Sequence, residues 1–298
     1  MPSAPESRAP RRTLVVTLVG LVCLVWGSTW WGIRVCLEGQ PPLLSVSMRF
    51  WIAGAAMVLL CPPLRRIENA PPPPRWLWIA AGGTNFAASY GIIYVAEQHV
   101  PSGIAAVLWS IFPLLMASSA VLFLGERLRA RQVAGFVVSF AGIVVVSSGD
   151  LGGAADIDAA LLLLVSPFVS AAGTTLVKKF GSGTSSVLLN RNAMLLGAAL
   201  LGIAGLLSED ATTITWTTNG VVALVYLALF GTAFTFGVYF WLLRTAPASS
   251  MALISYVTPI LAMLLSAAVG DGTLEPRDWA GAGLAATGVA LVVARSRR

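Results

Sequence analysis

Long apolar runs recur along the chain, and short segments rich in proline, glycine and charged residues separate them. A helix needs about 20 apolar residues to cross a bilayer, and each run is close to that length. The pattern therefore predicts an all-α integral membrane protein with ten transmembrane helices. The runs fall at 14–37, 43–61, 76–96, 101–124, 132–149, 159–178, 186–207, 219–243, 248–270 and 278–294.

Prolines indicate where some of these helices end. Pro62 and Pro63 directly follow the second run, and proline removes a backbone donor and disrupts the preceding turn. We therefore expect the second helix to stop at residue 61. The four prolines Pro71–Pro74 predict a stiff, extended connector before the third helix.

Lysine and arginine cluster in alternate loops of this predicted topology. Fifteen of the 19 basic residues fall on one side, together with both ends of the chain. The loops on the other side are acidic, as at Glu209 and Asp210. Because cytoplasmic loops carry an excess of basic residues, both termini are predicted to be cytoplasmic, with tails at 1–13 and 295–298.

A shift of 146 residues superposes the first half of the chain on the second. Five predicted helices lie in 14–150 and five in 159–294, so the second half would enter the membrane in the opposite orientation. Inverted repeats of this kind build many secondary transporters, whose site lies near the bilayer midplane. The superposed pairs include prolines and glycines, namely Pro101/Pro247, Pro113/Pro259, Gly91/Gly237, Gly135/Gly281 and Gly142/Gly288.

Composition excludes a sizeable soluble domain. The chain of 298 residues is 57% hydrophobic and only 11% charged, whereas soluble domains carry about 25% charged residues. The net charge of +6 lies in the topology-determining loops and does not indicate a nucleic-acid partner. Three unpaired cysteines and a single histidine predict no metal site and no cofactor.

Several motifs together resemble the EamA-type members of the drug/metabolite transporter superfamily. They are Trp26–Thr29 (WGST), Arg49-Phe50, Val95–Ala106 (VAEQHVPSGIAA), Gly125–Leu128 (GERL), Tyr226–Gly231 (YLALFG) and the segment from Pro247 to Pro259. The resemblance covers essentially the whole chain. It implies ten helices with cytoplasmic termini in a bacterial inner membrane, a central cavity lined by helices 1, 3, 4, 6, 8 and 9, and export or exchange of small organic solutes.

On these six helices, aromatic and hydroxyl side chains form stripes that could line such a cavity. Stripes of this type suit an amphipathic solute, such as an amino acid with a bulky apolar side chain or a drug-like molecule. The alternative is that the tryptophans form an interfacial belt and that the hydroxyls bond within the helices. The candidate cavity residues are Trp26, Trp30, Tyr90, Tyr94, Trp109, Ser170, Thr174, Tyr239 and Tyr256.

Two residues are predicted to carry charge within the membrane. Arg49 lies seven positions past Pro42, or about 10 Å into the second helix, where an arginine costs about 2.5–3.5 kcal/mol. It is predicted to be either a structural anchor or a direct contact to the solute. Glu97 ends the third helix, and it could be a site for a coupled proton, a ligand for an amine, or a solvated helix end.

Three prolines, Pro113, Pro167 and Pro259, stand in the middle of apolar runs. Each is predicted to kink a helix, because proline frees a backbone carbonyl. Kinked helices are also the elements that rocking or gating motions use.

The sequence thus favours a secondary transporter that exports small amphipathic metabolites by alternating access across the lipid bilayer. An integral-membrane enzyme that modifies lipids or metabolites is the alternative, but such enzymes cluster His, Asp or Glu at one interface. A helical membrane scaffold is a third possibility, although it would not explain Arg49 inside the membrane.

Overall fold

The structure is a computed structural model that describes residues 12–100, 105, 108–147, 157–245, 251, 254–268 and 276–293. The predicted tail at 295–298 and all but the end of the tail at 1–13 lie outside these residues. Within the described part, the helices are α1 (Arg12–Leu37), α2 (Pro42–Glu68), α3 (75–96), α4 (Phe112–Leu124), α5 (Ala130–Ser147), α6 (Ile157–Phe180), α7 (Ser186–Ser208), α8 (218–245), α9 (Ile254–Ala268) and α10 (Pro276–Val293).

The described chain is helical, and much of it is apolar enough to span a membrane. Five helical stretches meet the length and hydropathy that a crossing requires. Helices α4, α5 and α10 are also apolar but are shorter within the described residues. The five stretches are Thr13–Leu37, Pro42–Glu68, Ile157–Phe180, Ser186–Ser208 and Thr218–Leu243.

Helix α2 continues past the two prolines that were expected to end it. Pro62 and Pro63 lie inside the helix, which ends only at Glu68. The stop is provided by Asn69, which has a left-handed backbone (φ 43°, ψ 49°) and donates its N–H to the Arg65 carbonyl at 2.9 Å. Two prolines remove two backbone bonds, but the contacts that Glu68 makes beyond the helix hold the last turn in place.

Two glutamates at helix ends join α2 and α7 into an antiparallel pair. Glu209, just after α7, accepts the backbone N–H groups of Leu43 and Leu44 at 2.8 and 2.9 Å. Glu68, at the end of α2, accepts the N–H and the hydroxyl of Ser186 at 2.7 and 2.5 Å. Each carboxylate thus caps the first turn of the opposite helix, where the helix dipole favours an anion.

Helices α3 and α8 each contain a π-helical stretch at corresponding positions. In α3 the stretch is Gly82–Ala88, between the α-helical parts Arg75–Ala81 and Ser89–Ala96. In α8 it is Leu229–Phe234, between Thr218–Ala228 and Thr235–Thr245. A shift of 146 residues carries 82–88 onto 228–234. Short π-helical stretches are frequent at functional sites.

Small residues bring α5 and α10 into close antiparallel contact. A Cβ atom added to Gly135 would lie 2.6 Å from the Gly288 carbonyl, and one added to Gly142 would lie 2.6 Å from the Gly281 carbonyl. Midway between these contacts, the Ser139 hydroxyl donates to the carbonyl of Ala285 at 3.0 Å. Residues 139 and 285 are 146 apart, so each helix contacts its own counterpart in the other half.

The three prolines predicted to kink helices differ in position. Pro167 lies inside α6 and Pro259 inside α9. Pro113 lies instead in the first turn of α4, after a turn at Ser110 and Ile111. Residues 105 and 108–109 before this turn are also helical, so the helical path is interrupted just before Pro113 and the kink at Pro113 stays a prediction.

Candidate functional site

A cavity with about 760 Å³ of empty space, part of it open to solvent, lies among six helices. Its lining comes from α1, α3, α6, α8 and α9, together with α4 and the residues just before it. These are the helices that the resemblance implies. Its lining side chains are aromatic, aliphatic, hydroxyl or amide groups, and none of those described carries a formal charge. They are Trp26, Thr29, Trp30, Ile33, Asn85, Tyr90, Ile93, Trp109, Phe112, Ser170, Thr174, Phe236, Tyr239, Ser255 and Thr258.

Seven of the nine predicted cavity residues lie in this lining. The other two are elsewhere. Tyr94 is fully buried, and its hydroxyl accepts a hydrogen bond from Arg49 at 3.2 Å. Tyr256 is fully buried against α5, where its hydroxyl donates to the Phe136 carbonyl at 3.1 Å. The prediction that Tyr94 and Tyr256 line the cavity is therefore corrected, because neighbouring helices cover both side chains.

Aromatic rings form one wall of the cavity. Trp26 on α1 packs against Phe236 and Tyr239 on α8, with ring centroids 5.4 and 5.3 Å apart. Phe236 in turn contacts Phe86 at 4.9 Å and Tyr90 at 6.0 Å. Tilted and edge-to-face contacts of this kind fix ring positions and add about 0.5–1.5 kcal/mol each. The wall is thus a packed surface that joins the first half of the chain to the second.

Hydroxyl and amide groups on the opposite side are held by bonds between helices. The Asn85 amide in the π-helical stretch of α3 donates to the Thr174 hydroxyl of α6 at 2.9 Å. The Ser166 hydroxyl of α6 bonds the Ser89 hydroxyl at 2.9 Å and accepts from the Trp109 indole at 3.1 Å. These bonds tie α3, the segment just before α4, and α6 together, so the hydroxyl stripe of α6 bridges to its neighbours.

Two buried donors in the aromatic wall have no partner in the described part of the chain. They are the indole Nε1 of Trp26 and the hydroxyl of Tyr239. Buried polar atoms are nearly always hydrogen-bonded. A solute that offers an acceptor to these two groups would satisfy both, so the wall can provide orientation as well as apolar contact.

Arg49 lies behind this wall and is fully buried. Its guanidinium donates to the Thr232 hydroxyl at 2.7 Å and to the Gly231 carbonyl at 3.2 Å, both in the π-helical stretch of α8. It also stacks against the ring of Tyr90, 5.0 Å from the centroid. Tyr90 faces the cavity, so its ring separates the guanidinium from the solute space. The bonds of Arg49 thus connect α2 in the first half to α8 in the second half.

Glu97 directly follows α3 and is not among the residues that line the cavity. Tyr90 and Ile93 line the cavity, and Glu97 follows them at the spacing that places side chains on one helix face. Both of its carboxylate oxygens are buried and have no hydrogen-bond partner among the described residues. Arg49 acts on this carboxylate electrostatically.

Sequence reasoning missed several lining residues. Thr29 and Ile33 follow Trp26 at helical spacing, so the stripe of α1 could have indicated both of them. Ser255 and Thr258 lie one turn apart on α9, but short polar residues are common in membrane helices and gave no specific signal. In the described part, no cluster of three or more potential metal ligands occurs.

Comparison with known proteins finds the same family in both halves. The sequence pattern of the EamA-like transporter family matches residues 13–148 and again 158–294. The chain is 27% identical to the uncharacterized transporter YvbV of Bacillus subtilis over 96% of this chain and 93% of that protein. It is 32% identical to the uncharacterized inner membrane transporter YedA of Escherichia coli (strain K12), over 90% of this chain and 87% of that protein.

The fold also occurs in a protein of known crystal structure. The two chains superpose with a TM-score of 0.79 over 95% of this chain and 97% of that one, at 21% sequence identity. At this identity the likeness concerns the fold alone. The family pattern, in contrast, covers nearly the whole sequence in two copies. The chain therefore belongs to the EamA-like transporter family.

Proposed function

We propose that this EamA-family transporter is a secondary transporter that exports small amphipathic metabolites by alternating access. The observation that carries the proposal is the cavity, whose lining comes from α1, α3 and α4 of the first half and α6, α8 and α9 of the second. A site between two repeats can open to either side when the repeats move relative to each other. The proposed location is a bacterial inner membrane.

The proposed topology has ten transmembrane helices in two inverted repeats, with both termini in the cytoplasm. Three observations support it. Glu68 and Glu209 cap opposite helices reciprocally, the π-helical stretches of α3 and α8 correspond, and Ser139 contacts its own counterpart Ala285. In an inverted repeat, a contact made by one half is expected to have an equivalent contact made by the other half. The distribution of basic residues supports the orientation.

The proposed solutes are amphipathic and have few fixed charges. Seven of the fifteen lining residues are aromatic, and the polar groups are hydroxyls, an amide and the indoles of three tryptophans. An amino acid with a bulky apolar side chain, or a drug-like molecule, would fit this chemistry. A solute with several charges would find few countercharges here.

Alternating access would use helices whose hydrogen bonding is already interrupted. Pro167 in α6 and Pro259 in α9 each free a backbone carbonyl. The π-helical stretches of α3 and α8 lie on the same cavity. We propose that bending is concentrated at these four places, while the α2–α7 and α5–α10 contacts between the halves stay closed.

Reconstituted protein tests the function directly. Purified protein in liposomes is given proton and sodium gradients and screened with aromatic amino acids, neutral aromatic drugs and dicarboxylates. We expect transport of the first two classes and none of the third. Trp30→Ala, in the cavity, should change which solutes are carried, whereas Trp31→Ala, whose side chain is 49% exposed, should not. If no gradient moves any solute, or if dicarboxylates are preferred, the proposed function is wrong.

A further inference from the structure

The carboxylate of Glu97 has a setting that neither packing nor solvation explains. Both oxygens are buried, and no hydrogen-bond partner exists for them among the described residues. An ionised carboxylate buried without a partner costs several kcal/mol. A group of this kind persists in a membrane protein when its charge state is used.

The surroundings of Glu97 connect it to the contact between the halves. Arg49 is the cation that acts on it electrostatically, and Tyr94, one turn earlier on α3, contacts Arg49 through its hydroxyl. The same guanidinium holds Gly231 and Thr232 on α8. A change of charge at Glu97 therefore acts on the residue that joins α2 to the other half.

The other ionisable groups described near Glu97 differ from it in chemistry or in exposure. Cys36 on α1 is buried and interacts with Arg49 and Tyr94. On α6, which packs along α3, the one acidic residue is Asp158, and its side chain is exposed. His99 follows Glu97 by two residues and is exposed as well. Among these described groups, Glu97 is thus the acid whose carboxylate is buried and on which Arg49 acts electrostatically.

We propose that Glu97 is the proton-binding site of this transporter and that its protonation controls how firmly Arg49 holds α8. The inference deepens the proposed function and rests on it. Binding of one proton from water forms an O–H bond on the carboxylate and removes the charge that attracts Arg49, so the bonds to Gly231 and Thr232 are retained. Release of the proton restores the attraction, which competes with those bonds and loosens the contact between the halves.

Infrared difference spectroscopy tests proton binding without any solute. Purified protein is compared between acidic and alkaline buffers, and the carbonyl stretching band of a protonated carboxylic acid is followed. We expect a band in the wild type that is lost in Glu97→Gln and kept in Glu38→Gln and His99→Gln, because both control residues are exposed. If Glu97→Gln fails to accumulate, Glu97→Asp should keep the band at a shifted frequency. An unchanged band in both Glu97 variants would overturn the proton site.

Tryptophan fluorescence tests the link to the cavity, where Trp26, Trp30 and Trp109 report on the wall. We expect a pH-dependent transition in the wild type and in His99→Gln that disappears in Glu97→Gln. A transition that survives in Glu97→Gln would overturn the coupling.

In liposomes, a proton gradient should accelerate solute movement by wild type and have no effect on Glu97→Gln. Transport by the wild type that ignores the proton gradient would overturn the coupling while leaving the transport function itself intact.

Discussion

Replacing Arg49 is the sharpest test of how the two halves are held together. Arg49→Ala removes three hydrogen bonds, to Thr232, Gly231 and Tyr94, and the cation–π contact with Tyr90. Hydrogen bonds to a charged group contribute about 1.5–3 kcal/mol each, and a desolvated cation–π contact about 2 kcal/mol. The burial of the arginine offsets part of this gain, by about 2.5–3.5 kcal/mol in a bilayer.

The expected net loss is therefore several kcal/mol, similar to the roughly 3–5 kcal/mol that is typical when one member of a buried charged network is removed. The partners make the loss larger, since the Gly231 carbonyl and the Tyr94 hydroxyl would remain buried without Arg49. Arg49→Lys keeps the charge, but an ammonium group cannot reproduce the planar set of donors. We expect it to lie between the wild type and Arg49→Ala.

The measurement is the thermal unfolding midpoint of protein purified in detergent, together with the amount of folded protein in the membrane. At about 2–4 °C per kcal/mol for a large domain, Arg49→Ala should lower the midpoint by about 10 °C or more. Arg34→Ala is the matched control, because that side chain on α1 is exposed. If Arg49→Ala accumulates and unfolds like the wild type but no longer transports, the anchoring role is wrong and direct contact with the solute is favoured.

Three further predictions test the topology, the cavity and the helix contacts. A cysteine introduced beside Glu209 should react with an impermeant reagent from outside the cell and one beside Arg66 should not; the reverse result would contradict the orientation. Trp30→Ala should weaken solute-dependent quenching of tryptophan fluorescence at unchanged thermal stability, and equal quenching would remove Trp30 from the site. Gly142→Ala should lower the unfolding midpoint because its Cβ would strike the backbone of α10. Gly283→Ala meets nothing within 4 Å and should be neutral or stabilising by up to about 1 kcal/mol, so similar losses in both variants would refute the close contact.

Hydrophobic patterning alone predicted a helical membrane protein, and the 146-residue shift predicted its two related halves. Both features follow from the order of residues along the chain. A bilayer requires apolar runs of a certain length, and a repeat leaves matching prolines and glycines. The same pattern failed at Pro62 and Pro63, where it predicted a helix end. Proline weakens a helix locally, but the contact of Glu68 with the start of α7 maintains the last turn, and that partner is 118 residues away.

The sequence also selected seven of the fifteen residues that line the cavity, because helical spacing determines which side chains share a face. It could not determine which neighbour covers that face. Tyr90 and Tyr94 lie one turn apart on α3, yet Tyr90 borders the cavity and Tyr94 contacts Arg49. Tyr256 likewise packs against Phe136 of α5. The reciprocal caps of Glu68 and Glu209 left no local signal at all. These features depend on how helices distant in sequence pack together, and only the tertiary structure decides that packing.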